Sequence, residues 1–312
     1  MISVVVPFFN EQSIIRSAIE KMIGNLQNLK EPWELLLVND GSIDDSQKIA
    51  KNLERTYPNL RVVGYPVNRG RGFALRTGIS LAKGNIIVTT EIDCSWGDSI
   101  VSDIINALNK NPSADFVIAS THFPGGGYKD IHIYRIFISK IGNLILRCLY
   151  GGGVTMYTGM TRGYRRQAIE NVPLTEDGKE FHLEVIHKLL LLGRRFIEIP
   201  ATLTWVNLKK EGPKRKSSSK MRKIARSHMI FGVSTQPFRY LLILGFTFFI
   251  LSLAFLLWGG INFFCGQPSI FLAILGSLFF LIFCFCVSVS LLTYQNSTLH
   301  KEVINLFLEY KK

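Results

Sequence analysis

Short apolar runs alternate with amphipathic segments along the N-terminal part of the chain. In the segments between the runs, apolar residues recur with helical spacing; in 10–29, for example, Ile15, Ile19 and Ile23 lie on one face. The pattern predicts buried strands separated by helices. The predicted strands are Ile2–Val6, Glu34–Val38, Arg61–Val63, Asn85–Thr90 and Phe116–Ala119, and the predicted helices lie in 10–29, after Asp44, at Phe73–Leu81 and around Ile100–Leu108.

This order of elements predicts an α/β fold. Near-continuous apolar strands are typical of a sheet that helices cover on both faces. Strands that alternate with helices predict a mostly parallel sheet. In such sheets, ligands bind at the carboxyl ends of the strands, where the connecting loops gather. The loops that follow the predicted strands are therefore the candidate ligand-binding region.

The C-terminal third contains two long apolar stretches, Tyr240–Trp258 and Ile270–Leu292, and neither contains a charged residue. Each is long enough for a helix to cross about 30 Å of hydrocarbon at about 1.5 Å per residue. Buried helices of a soluble core rarely run this far without a polar face. We therefore predict two transmembrane helices, at about 240–262 and about 270–292.

The chain has a formal net charge of +13, and much of it lies beside the apolar stretches. The segment 209–226 is densely basic, the end of the chain carries Lys301, Lys311 and Lys312, and the linker 259–269 has no charged residue. By the positive-inside rule, both termini and the N-terminal domain are expected to be cytoplasmic. The start of the chain lacks a basic segment before its first apolar run, so no signal peptide is expected.

These patterns predict four segments: an N-terminal domain (1–208), a basic juxtamembrane segment (209–236), two membrane helices (237–294) and a cytoplasmic tail (295–312). The positive charge is accounted for by the membrane flank, so no nucleic-acid partner is expected. The five cysteines have neither disulfide nor zinc-site spacing, which argues against a disulfide-stabilised or zinc-based fold.

Polar and glycine-rich loops follow four of the predicted strands, at one edge of the predicted sheet. They are Pro7–Glu11, Asn39–Ser42, Asn68–Gly72 and Glu91–Asp93. Asn, Asp and Gly are common in any turn, so one such loop alone carries little information. Four at one edge instead indicate a pocket for an anionic, hydroxyl-rich ligand. Acids can bind hydroxyl and base N–H groups, arginines can bind phosphate, and glycines allow close backbone approach.

Glu91 and Asp93 flank Ile92 directly after a predicted buried strand. Two carboxylates this close repel each other unless a cation lies between them. Mg²⁺ is typically bound by one or two carboxylates together with substrate phosphates. The pair is therefore a candidate metal site, although on this spacing alone a charged strand end without a ligand is the commoner explanation.

Taken together, these motifs resemble family 2 glycosyltransferases of the GT-A fold. Among them, the chain is most similar to the polyprenyl-phosphate glycosyltransferases (dolichol-phosphate mannose synthase-like and bactoprenol glucosyltransferase-like proteins), and the resemblance covers essentially the whole chain. The matching segments are Pro7 with Asn10–Glu11, Asn39–Ser42 (Asp-Asp-Gly-Ser in the family), Asn68–Gly78, Glu91–Asp93 (Asp-x-Asp in the family), Thr158–Gly159 with Tyr164–Arg166, and Glu184 with Gly193 and Glu198–Pro200.

The resemblance implies an inverting transfer of a sugar from a UDP- or GDP-linked donor, with Mg²⁺ or Mn²⁺ as the cofactor. It implies that Asp93 and Glu91 bind the metal and that these two residues and Arg71 are catalytic. Asp40 and Glu11 are expected to hold the nucleoside, and Arg71 the diphosphate. The other residues implied in nucleotide-sugar binding are Pro7, Asn10, Asn68, Gly70, Gly72 and Ile92.

The implied acceptor is a polyprenyl phosphate in the membrane. Candidate ligands of its phosphate are Arg162, Arg165, Lys214, Arg215 and Lys220. Basic residues beside a span can instead serve topology alone. In the segment 131–150, one side of a helix would carry Ile133, Phe137, Ile141, Leu144 and Leu149. That face could lie in the membrane interface, or it could pack in a core or an oligomer. Related proteins are often homo-oligomers, so a homo-oligomer is expected.

The chain departs from the family pattern on the sugar and acceptor side. Glu91 replaces the first Asp of the triplet, Thr121 and His122 follow Ser120 where the family has Ser-Arg, and Thr155 lies where an acid is expected. These departures leave open a catalytically impaired homologue that acts as a membrane scaffold. A processive polysaccharide synthase is a further alternative, although Gln236–Tyr240 only faintly matches its Gln-x-x-Arg-Trp motif.

Overall fold

The computed structural model describes residues 1–204 and 237–310. The chain divides into two compact units, Met1–Ala225 and Arg226–Lys312. The strands are β1 (Ile2–Phe8), β2 (Trp33–Asp40), β3 (Leu60–Tyr65), β4 (Ile86–Thr89), β5 (Phe116–Ser120), β6 (Gly127–Lys129), β7 (Arg162–Arg165), β8 (Phe196–Pro200) and β9 (Thr202–Thr204). The helices are α1 (Ile15–Leu26), α2 (Ser46–Thr56), α3 (Arg71–Leu81), α4 (Ile100–Lys110), α5 (Ile133–Tyr150), α6 (Arg166–Ile169), α7 (Phe181–Leu191), α8 (Pro237–Phe264) and α9 (Ile270–Tyr310).

Seven strands of the first unit form one sheet in the order β3-β2-β1-β4-β7-β5-β8. β1 pairs in parallel with β2 and with β4, and β2 pairs in parallel with β3. β5 pairs in parallel with β8, and β7 runs antiparallel between β4 and β5. Every residue of β1 and of β5 is buried, as expected for strands covered by helices. The predicted α/β fold with a mostly parallel sheet is therefore confirmed. β6 and β9 form a separate parallel ribbon.

No sequence pattern indicated β7, the antiparallel strand near the middle of the sheet. Its Arg162 pairs with Thr89 and its Arg165 with Ile86. Because β7 runs opposite to β4, Arg162 lies at the carboxyl end of β4 and Arg165 at the amino end. Gly163 lets α4 pack closely on this strand, since a Cβ there would overlap the Cγ2 of Ile104.

α1 has the buried face that the sequence predicts, but it begins later. Its buried residues are Ile15, Ala18, Ile19, Met22, Ile23 and Leu26. The helix starts at Ile15 because Asn10 has a φ of 54° and the carbonyl of Glu11 accepts the N–H groups of Ile14 and Ile15, at 3.0 and 2.9 Å. The turn at 10–14 thereby keeps Asn10 and Glu11 at the carboxyl edge of the sheet.

In the second unit, α8 and α9 pack against each other through small residues. Ser252 Oγ donates a hydrogen bond to the carbonyl of Gly276 at 2.8 Å. A Cβ on Gly276 would lie 2.7 Å from Leu256 Cγ, and one on Gly245 would lie 3.0 Å from Cys286 Cβ. Small residues allow this close approach between membrane helices.

Pro237–Phe264 and Ile270–Leu299 are long and apolar enough to cross a membrane, and only 11% of the most apolar window of each is buried. Such exposure is unlike that of core helices in a soluble protein. The prediction of two apolar helices that could span a membrane is confirmed. α9 continues as a helix to Tyr310, so much of the predicted tail is helical. The predicted basic segment 209–236 lies outside the described residues, and the predicted segment boundaries stay predictions.

Candidate active site

The loops after β1 and β2 are joined by hydrogen bonds at the carboxyl edge of the sheet. The N–H of Asn10 donates to Ser42 Oγ at 3.0 Å, and Asn10 Oδ1 accepts the N–H of Ile43 at 2.9 Å. The N–H of Glu11 donates to the hydroxyl of the first residue of α2 at 2.8 Å. Pro7 lies beyond the last residue of β1 that pairs with β4, so its missing N–H leaves the ladder intact. Hydrogen bonds therefore connect these two predicted loops to each other along the carboxyl edge of the sheet.

Asp40, at the end of β2, is only 5% exposed and holds the glycine-rich loop against the sheet. Its carboxylate accepts the Tyr65 hydroxyl at 2.7 Å, Asn68 Nδ2 at 2.9 Å, and the N–H groups of Arg69 and Gly70 at 2.9 and 3.1 Å. Burial, and then Asp40, raise the pKa of Tyr65, so its phenol remains a donor. Asp40 therefore shapes the loop, and its predicted contact with a nucleoside stays a prediction.

The glycines at 70 and 72 are explained by close approach of the chain's own backbone. Gly70 has a φ of 106°, and a Cβ on it would lie 2.5 Å from the carbonyl oxygen of Asp177. A Cβ on Gly72 would lie 2.5 Å from the carbonyl oxygen of Glu176. Asp177 O accepts the N–H groups of Gly72 and Phe73 at 2.8 and 3.2 Å. These N–H groups belong to the first turn of α3, where a helix supplies no partner, and a protein carbonyl rather than a phosphate satisfies them.

The side chain of Asp177 strengthens this contact. It accepts Arg76 Nη2 at 2.5 Å and lies 3.5 Å from Arg69 Nη2. The guanidinium of Arg69 also stacks on the ring of Phe73, 3.4 Å from its centroid, a cation–π contact that fixes the side chain. Asp177 lies about 100 residues from these partners along the chain, and no motif indicated it. Its ion pairs therefore hold the glycine-rich loop and α3 against the segment that contains Asp177.

Glu184 on α7 holds the segment 175–177, which contains Asp177. Its side chain is 1% exposed and accepts the N–H groups of Thr175 and Glu176 at 2.8 and 2.9 Å and Lys188 Nζ at 2.7 Å. Burial by itself raises the pKa of Glu184, but Lys188 and the backbone donors outweigh it, so the pKa lies below its usual value. The Glu184 that resembles the family's downstream Glu therefore positions the segment that contacts the glycine-rich loop.

The acidic triplet follows β4 and lies beside this loop. Glu91 Oε1 is 3.3 Å from Arg71 Nη1, which joins two of the three predicted catalytic residues in an ion pair. Glu91 Oε2 accepts Ser95 Oγ at 3.1 Å and Trp96 Nε1 at 3.2 Å, while Ile92 points into the core and is buried. The longer side chain of Glu91, compared with Asp, is thus held at both oxygens. No motif singled out Ser95 and Trp96 as its partners; their only signal was their place directly after the triplet.

Asp93 is partly exposed, and Ser95 donates hydrogen bonds to both Asp93 and Glu91. Asp93 Oδ1 accepts the N–H of Ser95 at 3.1 Å, and the hydroxyl of Ser95 donates to Glu91. Within residues 1–204 and 237–310, no group of three or more His, Cys, Asp and Glu side chains could hold a metal ion. Two carboxylates fit Mg²⁺ or Mn²⁺ when substrate phosphates complete the coordination. The donors present are therefore compatible with a metal that binds together with a nucleoside diphosphate.

Arg162 requires a correction to the predicted acceptor site. It is 1% exposed, and its guanidinium donates to the carbonyls of His182 and Tyr157 at 2.8 and 2.7 Å. A buried cation needs such partners because burial removes its water. Arg162 therefore ties β7 to α7 and to the loop that precedes β7, and it offers no exposed surface to a lipid phosphate.

Arg165 is a second correction, since it lies at the amino end of β4, opposite the edge that carries the acidic triplet. Its Nε donates to the carbonyl of Ala114 at 2.8 Å and its Nη2 to that of Leu108 at 2.7 Å. It anchors the end of α4 to the sheet. The remaining predicted phosphate ligands, Lys214, Arg215 and Lys220, lie outside the described residues, and their role stays a prediction.

The loop 155–159, which contains the family-like Thr-Gly pair, is fixed at the carboxyl end of β5. Thr155 Oγ1 lies 2.6 Å from Ser120 Oγ and donates to Glu198 Oε1 at 2.8 Å. The N–H of Tyr157 donates to Asn143 Oδ1 of α5 at 2.8 Å. Burial raises the pKa of Glu198, so an acid at 155 would face a carboxylate that is already costly to ionise. The hydroxyl of Thr155 fits this environment.

The sequence matches the model of glycosyl transferase family 2 over residues 3–172. It is 27% identical over 208 residues to a polyprenol monophosphomannose synthase of Mycolicibacterium smegmatis, which covers 64% of this chain and 76% of that protein. It is 28% identical over 130 residues to a dolichyl-phosphate beta-glucosyltransferase of Trichomonas vaginalis, covering 38% and 39%. It is 24% identical over 170 residues to an undecaprenyl-phosphate 4-deoxy-4-formamido-L-arabinose transferase of Pectobacterium atrosepticum, covering 54% and 50%. The chain thus spans half or less of the latter two relatives.

Solved structures are similar in fold. Glucosyl-3-phosphoglycerate synthase from Mycobacterium tuberculosis, in complex with Mn²⁺, uridine diphosphate and phosphoglyceric acid, has a TM-score of 0.57 at 18% identity, covering 75% of this chain and 78% of that chain. A further mycobacterial protein has a TM-score of 0.57 at 19% identity, covering 75% and 74%. At this identity the likeness concerns the fold alone, and it confirms the predicted GT-A architecture.

Proposed function

Since the chain belongs to glycosyl transferase family 2, we propose that it transfers a sugar from a nucleotide-diphosphate sugar to a polyprenyl phosphate at a membrane. The observation that carries the proposal is the placement of Arg71, Glu91 and Asp93 side by side at the carboxyl edge of the sheet, in a chain with two candidate membrane spans. The relatives named for polyprenol, dolichyl and undecaprenyl phosphates support this class of acceptor.

The donor would lie at the carboxyl edge of β1, β2 and β4. Its diphosphate would lie beside Arg71, whose guanidinium already contacts Glu91, and bidentate contacts to phosphate are the strong ones that arginine makes. Asp40 and the segment around Asp177 keep the glycine-rich loop in one conformation, so the pocket is organised before the donor arrives. Preorganised contacts of this kind lower the entropic cost of reaching the reactive geometry.

Asp93, with Glu91 beside it, is the residue proposed to hold Mg²⁺ or Mn²⁺. When bound, the cation would neutralise charge on the diphosphate that leaves. Ser95 holds both carboxylates through its N–H and its hydroxyl, and Trp96 holds Glu91. These donors keep the two side chains close in spite of their repulsion.

The proposed reaction inverts the anomeric carbon. A phosphate oxygen of the lipid attacks that carbon and forms a new C–O bond, while the bond to the diphosphate breaks and its electron pair leaves with the nucleoside diphosphate. A phosphate monoester is largely ionised at neutral pH, because its second pKa is about 6. The acceptor therefore needs no strong general base, and the protein contributes mainly position and charge.

The membrane orientation is part of the proposal. With both termini and the catalytic domain in the cytoplasm, the basic residues before the first span lie on the side where anionic lipids attract them. The proposed donor is a UDP- or GDP-linked sugar, and the proposed assembly is a homo-oligomer.

The test is transfer of radiolabelled sugar into chloroform-extractable lipid. Purified full-length protein is supplied with polyprenyl phosphate, Mn²⁺ or Mg²⁺ and a panel of nucleotide sugars. We expect labelled lipid from one donor, and a loss of about 100-fold or more in kcat/KM for Asp93→Asn. Asp103→Asn, on the exposed side of α4, is the matched control and should transfer normally.

No labelled lipid from any donor, in a protein that still binds a nucleoside diphosphate, would overturn the proposal. That outcome favours the membrane scaffold, which the departures at Glu91 and Thr155 from the family pattern left open. A product that grows into a polymer would instead favour the processive synthase.

A further inference from the structure

One side of α5 is an exposed apolar stripe. At about 100° per residue, Ile133, Phe137, Ile141, Leu144 and Ile145 fall within an arc of roughly 120°. Their exposed fractions run from 41% for Ile141 to 81% for Ile133, and Tyr134, which falls within the same arc, is also exposed. Leu149, which the sequence placed near this face, has a side chain outside the described ones. An exposed apolar patch of this extent marks an interaction surface.

The opposite side of α5 is fixed to the catalytic domain. Asn143, Leu146 and Tyr150 are buried. Asn143 Oδ1 accepts the N–H of Tyr157 at 2.8 Å, and its Nδ2 donates to Thr158 Oγ1 at 3.3 Å. The orientation of the helix is therefore set by hydrogen bonds and packing, and the stripe faces outward as a result. Through Asn143 the helix is also in direct contact with the loop 155–159.

The charge of α5 favours an anionic surface as its occupant. Between Ile133 and Tyr150 the helix carries Arg135, Lys140 and Arg147 and no Asp or Glu. Lys140 and Arg147 lie about 20 to 40° from one edge of the stripe on a helical projection, and both are exposed. A second copy of the same face would bring like charges together, whereas anionic headgroups would neutralise them.

We infer that the apolar stripe of α5 lies in the headgroup region of an anionic membrane, with Lys140 and Arg147 toward the lipid phosphates. Helices that combine an apolar face with basic residues bind in this plane. The inference rests on the proposed function in one respect, the presence of the acceptor in the bilayer. It extends that function because α5 would set the position of the loop 155–159 relative to the acceptor's phosphate.

The first test measures depth in the membrane and needs no activity. Phe137→Trp is made in the full chain and reconstituted into nanodiscs that contain anionic phosphatidylglycerol and lipids brominated along the acyl chain. The control is Leu81→Trp, at the exposed end of α3. After subtraction of the parent signal from the four native tryptophans, we expect the added Trp at 137 to be quenched at least about two-fold more than the one at 81.

Equal quenching at the two positions overturns the inference. So does a disulfide between two copies of Ile141→Cys without quenching at 137, because the stripe is then an interface between copies of the chain. Quenching that disappears when phosphatidylglycerol is replaced by zwitterionic lipid supports the role assigned to Lys140 and Arg147.

The second test measures the consequence for transfer. In liposomes, Phe137→Glu with Leu144→Glu should lower transfer to a long-chain polyprenyl phosphate about ten-fold. Transfer to a short-chain, water-soluble prenyl phosphate should be unchanged, because neither side chain packs in the core. Equal loss with both acceptors contradicts the inference. If the parent protein transfers sugar to neither acceptor, the proposed function fails, and the quenching experiment still decides whether α5 binds the membrane.

Discussion

Asp40→Asn tests whether the carboxylate at the end of β2 organises the glycine-rich loop. Oδ1 accepts the Tyr65 hydroxyl and the N–H groups of Arg69 and Gly70, and Oδ2 accepts Asn68 Nδ2 at 2.9 Å. The introduced amide keeps an oxygen in the place of Oδ1, but its hydrogen bonds are neutral and therefore roughly half as strong. Its NH₂ group takes the place of Oδ2. There it faces the NH₂ group of Asn68, so two donors meet.

The magnitude follows from these contacts. Hydrogen bonds to a charged group contribute about 1.5–3 kcal/mol each, and the amide loses one outright and weakens the others. The lower desolvation cost of a neutral side chain offsets part of this. We therefore expect a loss of about 2–3 kcal/mol, which corresponds to about 4–12 °C in Tm for a domain of this size. Asp45→Asn, at an exposed carboxylate before α2, should change Tm by less than about 2 °C.

The assay combines thermal unfolding in detergent with donor kinetics below the lower Tm. Asp40→Asn should raise the KM for the nucleotide sugar more than it lowers kcat, because the loop borders the proposed donor site. Adding Asn68→Asp should restore part of the lost stability, since the amide introduced at position 40 can then donate to a carboxylate at position 68. The recovery is incomplete because Asn68 Nδ2 also donates to the backbone carbonyl of residue 40 at 2.9 Å, and a carboxylate cannot. An unchanged Tm for Asp40→Asn, or strict additivity of the two changes, would refute the reasoning.

Two further predictions concern a buried carboxylate and the membrane helices. Glu184 has a folded-state pKa below its usual 4.5, so its stabilisation is complete above that value and is lost as the pH falls toward the folded pKa. The stability difference between parent and Glu184→Gln in urea unfolding should therefore be constant from pH 7 to about 5 and shrink below it; a difference that grows in acid contradicts this. Gly276→Leu should lower the thermal stability of the detergent-solubilised protein, because its side chain would meet Leu256, whereas Gly260→Leu has open space; equal effects of the two would exclude close packing as the cause.

Glu184 and Asp177 show why parts of the site could not be predicted. Glu184 was visible in the sequence as one member of a family-like pattern, but its partners at 175 and 176 follow from the way the segment before α7 folds back. Asp177 has no motif at all, and it meets Gly72 and Arg76 only because α3 and that segment are neighbours in space. The same holds for Arg162 and Arg165, which were both expected at a phosphate site and which an antiparallel strand separates to opposite ends of β4.

The sequence by itself determined the features that depend on local periodicity. The six buried residues of α1, the apolar strands, the two candidate spans and the acidic triplet at the end of β4 could all be read from it, because burial and helix or strand geometry repeat every few residues. The tertiary structure alone decided which groups meet. It placed Arg71 beside Glu91, surrounded the carboxylate of Asp40 with donors from 65–70, and turned the stripe of α5 outward. The physical reason is that periodicity reports whether a side chain is buried, whereas its hydrogen-bond partners come from segments distant along the chain, which only the packed sheet brings together.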